Sequence, residues 1–139
     1  MVDTVERLTI GQVAERTELS VHALRFYERE GLFANPVRRD SAGRRVYDES
    51  DLEWLNICSR LRASGMPLRA IREYVELVRA GAGNELARLN LLREHQERVA
   101  ARMRELAECY ELISCKVTIY EQHVADGDAD RLWNPERPD

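Results

Sequence analysis

Residues 9–32, TIGQVAERTELSVHALRFYEREGL, decide the fold. Thr9 followed by Gln12 fits a capping box, and Ile10, Val13 and Ala14 share one apolar face, so a short helix is predicted to end near Arg16. Thr17-Glu18-Leu19 reads as a tight turn. Ser20 then caps a second helix, Val21 to Glu30, which carries Val21, Leu24 and Tyr27 at helical spacing and is stopped by Gly31. Two short helices joined by so brief a turn form a helix-turn-helix candidate.

Working outward, residues 32–49 break the helical pattern. Pro36 interrupts the chain, Asp40-Ser41-Ala42-Gly43 is a turn cluster, and Val37 and Arg45-Val46-Tyr47 supply two short strands around it. This hairpin reads as a wing. Ser50 with Glu53 is expected to box the start of a third helix running to about Ala63, with Leu52, Leu55, Cys58 and Leu61 along one stripe. Ser64-Gly65 ends it, and Pro67 opens a fourth helix from Leu68 to about Ala80. The first eight residues read as a short arm.

From Glu85 to about Val124 the period changes. Steps of three and four residues pass through Leu89, Leu92, Gln96, Val99, Met103, Leu106, Tyr110, Ile113, Val117, Tyr120 and Val124, and all but Gln96 are apolar. A 3.5-residue repeat held this long is a coiled-coil seam, and an intramolecular core would ask for a wider stripe. Ala100, Ala107 and Ser114 on one flank would let a partner helix approach closely. The organisation expected is therefore a head at 1–80, a linker at 81–84, a self-associating helix at 85–124 and a loose tail at 125–139.

The 139-residue chain has a net charge of -4, which at first sight argues against nucleic acid. Position matters more than the sum. Residues 25–45 hold six arginines (25, 29, 38, 39, 44 and 45) against Glu28, Glu30 and Asp40, a local excess of three positive charges. No apolar run reaches the roughly 20 residues a membrane span needs, and no leader-like start is seen, so a cytoplasmic location is expected. No nucleophile elbow, phosphate-cradling glycine loop or zinc-ligand spacing points to an enzyme.

Ile10-Gly-Gln-Val-Ala, Ser20-Val-His-Ala-Leu-Arg-Phe-Tyr-Glu-Arg-Glu-Gly-Leu32, Gly43-Arg-Arg-Val-Tyr47, Asp51-Leu52, Leu61-Arg62 and Gly65-Met66 with Leu68 occur in one order. In this they closely resemble the MerR family of bacterial transcription regulators. Glu53-Trp54, Gly65-Met66-Pro67-Leu68 and Ile71-Arg72-Glu73-Tyr74 are most similar to its branch responding to aldehydes and electrophilic stress. The resemblance implies a mainly α fold: a winged helix-turn-helix domain followed by a long dimerisation helix that pairs as an antiparallel coiled coil. It implies a homodimer that binds a near-palindromic operator in an over-long promoter spacer, then bends and untwists it for RNA polymerase.

Carried onto this sequence, the DNA contacts are Ser20, Val21 and His22 at the start of the second helix, Arg25 on its exposed side, and Tyr27 through its hydroxyl. Phe26 is assigned to the core. Arg45 and Tyr47 match wing residues, Arg44 stands where the family usually has an aromatic, and Arg38 and Arg39 are expected as phosphate contacts.

No cofactor is expected, and the effector is expected to be small or covalent. A thiol is the natural sensor, which makes Cys58, Cys109 and Cys115 the candidates. Copper-type relatives place two cysteines just past the dimer helix. Cys109 and Cys115 are superficially similar, yet lie about 120° apart on a continuous helix, so a metal ion there would need ligands from the partner chain. An effector-independent architectural DNA-binding protein and a metal-responsive regulator therefore stand beside the electrophile-responsive reading.

Overall fold

The computed structural model describes residues 7–128 together with 130 and 132. Among these the order is α1 (Ile10–Thr17), α2 (Val21–Arg29), β1 (Arg38–Arg39), β2 (Arg45–Val46), α3 (Glu49–Ala63), α4 (Leu68–Arg79) and α5 (Glu85–Asp126). The chain divides into two compact units, Met1–Gln96 and Glu97–Asp139. The first unit thus takes in the opening turns of α5 as well as the residues expected to form a linker.

Each short helix is fixed at its ends by its own side chains. Thr9 accepts from the Gln12 amide at 3.2 Å while Gln12 accepts from the Thr9 amide at 2.8 Å, the reciprocal box expected from sequence. Thr17 bonds back to the Val13 carbonyl at 2.6 Å, and Glu18 turns the chain in a left-handed conformation (φ 60°). Ser20 accepts from the Ala23 amide at 3.0 Å and starts α2. Gly31 (φ 68°) ends that helix, letting the Leu32 amide reach back to the Tyr27 carbonyl at 2.9 Å.

The start of α3 differs from expectation by two residues. Asp48, not Ser50, is the cap: its carboxylate accepts from the Asp51 amide, and Asp51 accepts from the Asp48 amide at 2.9 Å. Ser50 lies inside the first turn of α3 and donates its hydroxyl to the Asp48 carboxylate at 2.6 Å, supporting the cap rather than forming it. Pro67 occupies the cap position of α4, where its missing N–H costs nothing. Asn84 opens α5 by its backbone carbonyl, while its side-chain amide donates to the Leu77 carbonyl at 2.7 Å.

The core of the first unit joins α1, α2, α3 and α4 around Val13, Leu24, Leu55, Ile71 and Val75, all buried. Leu8 closes it from the N-terminal side. It forms a two-bond antiparallel bridge to Tyr47, with 2.7 and 2.9 Å hydrogen bonds, so the end of the expected arm is part of the sheet region and of the core. Residues 1–6 of that arm lie outside the described residues. Trp54 stacks on Tyr74, with ring centroids 5.8 Å apart, and donates to the Leu32 carbonyl at 2.6 Å, pinning the loop after α2 to α3 and α4.

Cys58 sits in this core and is fully buried, its thiol directed to the Leu32 carbonyl. Burial pushes its pKa up to about 11. The thiolate form is thereby disfavoured, and Cys58 packs as a small core side chain. Cys109 and Cys115 are exposed on α5. The helix runs to Asp126, where the Asp128 amide bonds the His123 carbonyl at 3.1 Å, and most of the expected tail, 125–139, lies outside the described residues.

Two outcomes are expected. Maleimide labelling of the native chain should modify Cys109 and Cys115 and spare Cys58 until denaturant is added, as read by peptide mass spectrometry. Ser50, Arg38 and the Asp51 amide hold the Asp48 carboxyl down to about 2, from an ordinary 3.8. A depressed acid stabilises the fold above its unfolded pKa and loses that contribution as pH falls through its folded one. Asp48→Ala should therefore cost about 1 kcal/mol in urea unfolding at neutral pH, and the gap to wild type should close as pH is lowered toward 2.

Candidate nucleic-acid interface

The hydrophobic stripe of α2 settles which of its residues face outward. Leu24 and Tyr27, three positions apart, are both buried, so residues set about 100° away on the helix are left outside. His22, Arg25 and Arg29 are exposed, and Ser20 and Val21 form the exposed to half-buried start of the helix. Among the described residues no carboxylate pairs with Arg25. An unpaired guanidinium on a capped helix is suited to an anionic or base-edge acceptor.

The wing hairpin brings further arginines to the same place. β1 and β2 pair antiparallel with Arg38 opposite Val46 and Arg39 opposite Arg45. Asp40 closes the turn by accepting from the Ala42 and Arg44 amides, each at 2.9 Å, and these bonds, that from Arg44 foremost, hold its carboxyl below the usual range. Arg25, Arg39, Arg44 and Arg45 then line one cleft of about 500 Å³ with Leu8, Ile10 and Val46. Arg7 lines it too, a residue that sequence reading left in the unassigned arm. Its neighbour Leu8, an apolar residue just before a cap, was the available signal that the arm is anchored.

Most wing arginines have carboxylate partners. Arg38 is held 2.6 Å from Asp48 and lies outside the cleft lining. Arg44 pairs with Asp40 at 3.3 Å yet keeps a largely exposed side chain. Glu28 binds Arg45 and lies 3.7 Å from Arg39, and its hydrogen bond keeps the Arg45 guanidinium firmly charged. The local positive excess counted along residues 25–45 is therefore moderated by Asp48, which lies beyond that window.

The aromatic side chains are placed by the same packing. Tyr27 is 2% exposed and Tyr47 0% exposed, so the rings of both expected contact tyrosines lie in the core. Tyr47 packs on Phe33, its hydroxyl has no hydrogen-bond partner among the described residues, and burial pushes its pKa up. Phe26, expected inside, is only half-buried. It lies under the Arg62 guanidinium at 4.7 Å and that of Arg29 at 5.7 Å. The reason is register: Tyr27 continues the Leu24 stripe, and Phe26 falls to its side.

On the second unit, residues 97–126 of α5 leave the expected seam open. Met103, Leu106, Tyr110, Ile113, Val117 and Tyr120 are all exposed, Tyr110 by 72%, while Val99 is half-buried. In the first unit Leu89 is exposed and Leu92 half-buried. Among the described residues no group of three or more His, Cys, Asp or Glu side chains is placed to hold a metal ion, and no helix is long and apolar enough to cross a membrane.

Residues 8–77 match the pattern of the MerR HTH family regulatory proteins, and residues 52–113 match that of the MerR DNA-binding region. An HTH-type transcriptional regulator of Haemophilus influenzae is 31% identical over 131 residues, covering 94% of this chain and 96% of the relative. The HTH-type transcriptional regulator AdhR of Bacillus subtilis is 37% identical over 92 residues, 66% of this chain and 65% of its own. Among solved structures, HiNmlR, described as a MerR family regulator lacking the sensor domain and bound to promoter DNA, gives a TM-score of 0.82 at 31% identity. That match covers 96% of this chain and 100% of the other. The chain belongs to the MerR helix-turn-helix family of DNA-binding transcriptional regulators.

Proposed function

We propose that the chain works as a homodimer that reads a near-palindromic operator within an over-long promoter spacer and distorts it to let RNA polymerase use the promoter. The observation that carries this reading is Arg25: exposed, free of any described carboxylate, and set beside the wing arginines in one basic cleft. A related chain solved on promoter DNA supports it. In this reading Ser20, Val21, His22 and Arg25 meet the major groove, with Arg44 and Arg38 on flanking phosphates. Tyr27 and Tyr47 act from the core by shaping the head.

The open seam on α5 supports the pairing. Exposed Met, Leu, Tyr and Ile at a 3.5-residue spacing would stay wet in a lone chain, and antiparallel pairing of two copies buries them together. The effector in this reading is a small thiol-reactive electrophile taken up at Cys109 or Cys115, the two exposed thiols. Cys109 flanks the seam between Leu106 and Tyr110, where a covalent adduct would bear on pairing.

Arg25→Ala should weaken binding to an operator duplex by about 1–3 kcal/mol. Arg44→Ala should act mainly on the salt dependence, lowering its slope by about one. Retention of full affinity and slope by both variants would contradict the assignment. Sedimentation should show a dimer at micromolar concentration, converted to monomer by Leu106→Glu with Ile113→Glu. An aldehyde should shift operator affinity in wild type but not in Cys109→Ala with Cys115→Ala. No shift in wild type would point to an effector-independent architectural binder instead.

A further inference from the structure

The register of the wing sets Arg39 directly opposite Arg45. Like charges facing each other across an antiparallel pair oppose its formation, and this ladder is only two residues long on each side. Glu28, one turn beyond Arg25 on α2, relieves the repulsion. Its Oε2 accepts from Arg45 Nε, and its Oε1 lies 3.7 Å from Arg39 Nη2. A single carboxylate therefore spans both arginines and ties both strands to α2. Glu28 and Arg45 are each 26% exposed, so the contact is screened less than a pair on open surface. The other wing ion pairs are of another kind. Arg44 closes on Asp40 within the turn, and Arg38 closes on Asp48 at the cap of α3.

We propose that Glu28 is a positioning residue that sets DNA specificity, holding the wing at one spacing from α2 and withholding two cations from indiscriminate pairing with phosphates. With the clamp closed, a duplex must suit a fixed arrangement of Arg25 and the wing. With it open, Arg39 and Arg45 swing to whichever phosphates are near, a sequence-independent gain. Affinity for arbitrary DNA is given up, and discrimination is what remains.

This inference rests on the DNA-binding reading, and the experiment separates the two. Full-length wild type and Glu28→Gln are titrated over a range of salt against two duplexes of equal length. One is enriched from random sequence by the wild-type chain, and the other is unselected. Glu28→Gln should bind the unselected duplex about three- to tenfold more tightly, with a salt slope steeper by about two, one for each released arginine. Preference for the enriched duplex should fall at least about threefold. Adding Arg39→Gln and Arg45→Gln to this variant should bring the slope back.

A merely structural role for Glu28 would weaken both duplexes alike and leave the slope unchanged, which overturns the proposal. Should the Gln variant lose its thermal unfolding transition, Glu28→Asp takes its place. The shorter carboxylate cannot span both guanidinium groups, so the slope should steepen by about one, and an unchanged slope again overturns the proposal. Failure of wild type to bind or enrich any duplex would defeat the DNA reading itself.

Discussion

The burial of Leu24 on the nine-residue α2 is the constraint on which the rest of the head depends. A helix this short has one stripe to bury. Once Leu24 and Tyr27 are committed to it, the outward face is no longer a choice but a matter of 100° steps. Val13 from α1 and Leu55 from α3 complete the pocket into which that stripe fits. Truncating a buried leucine of this kind typically costs 2–5 kcal/mol, a large share of the stability of a small domain. The surface offered to DNA is thus a by-product of packing: Arg25 faces out because Leu24 faces in.

Charge is organised on top of this scaffold by pairing rather than by accumulation. The chain is acidic overall, and even its basic segment is stitched with carboxylates from Asp40, Asp48 and Glu28. Such pairs contribute little stability where they are exposed. Their effect is geometric, since each fixes a long side chain that would otherwise wander. Arg25 is the contrast, an arginine with no such tether among the described residues. A head that exposed every arginine freely would hold any duplex and tell few of them apart.

Much of this was legible in the sequence, and the exceptions share a cause. The Thr9 box, the Ser20 cap, the Gly31 stop and the long helix from Glu85 are local signals, settled by residues a few positions apart, and they read directly. The slip from Ser50 to Asp48 arose because three polar residues compete for one cap, and spacing alone does not choose between them. Tyr27 shares the spacing of Val21 and Leu24, so its burial was readable from the period, while Phe26 stands one step off that stripe and is only half-buried. Arg38 with Asp48 and Arg45 with Glu28 join residues 10 and 17 positions apart, so a running charge count had no means of seeing them. The burial of Cys58 was implied by its apolar stripe, yet only the packed core showed that nothing opens onto the thiol.

The junction after α4 was expected as a linker, and Gly81 and Gly83 there both take conformations that other residues seldom adopt. It is instead laced shut. Asn84 reaches back to Leu77, Arg88 bonds the Gly81 carbonyl at 2.7 Å, and the buried His95 meets the Ser64 hydroxyl at 2.7 Å in the turn between α3 and α4. The opening turns of α5 are thereby fastened to α4 and to the α3–α4 turn, so within the first unit they belong to the same packed body as the reading head.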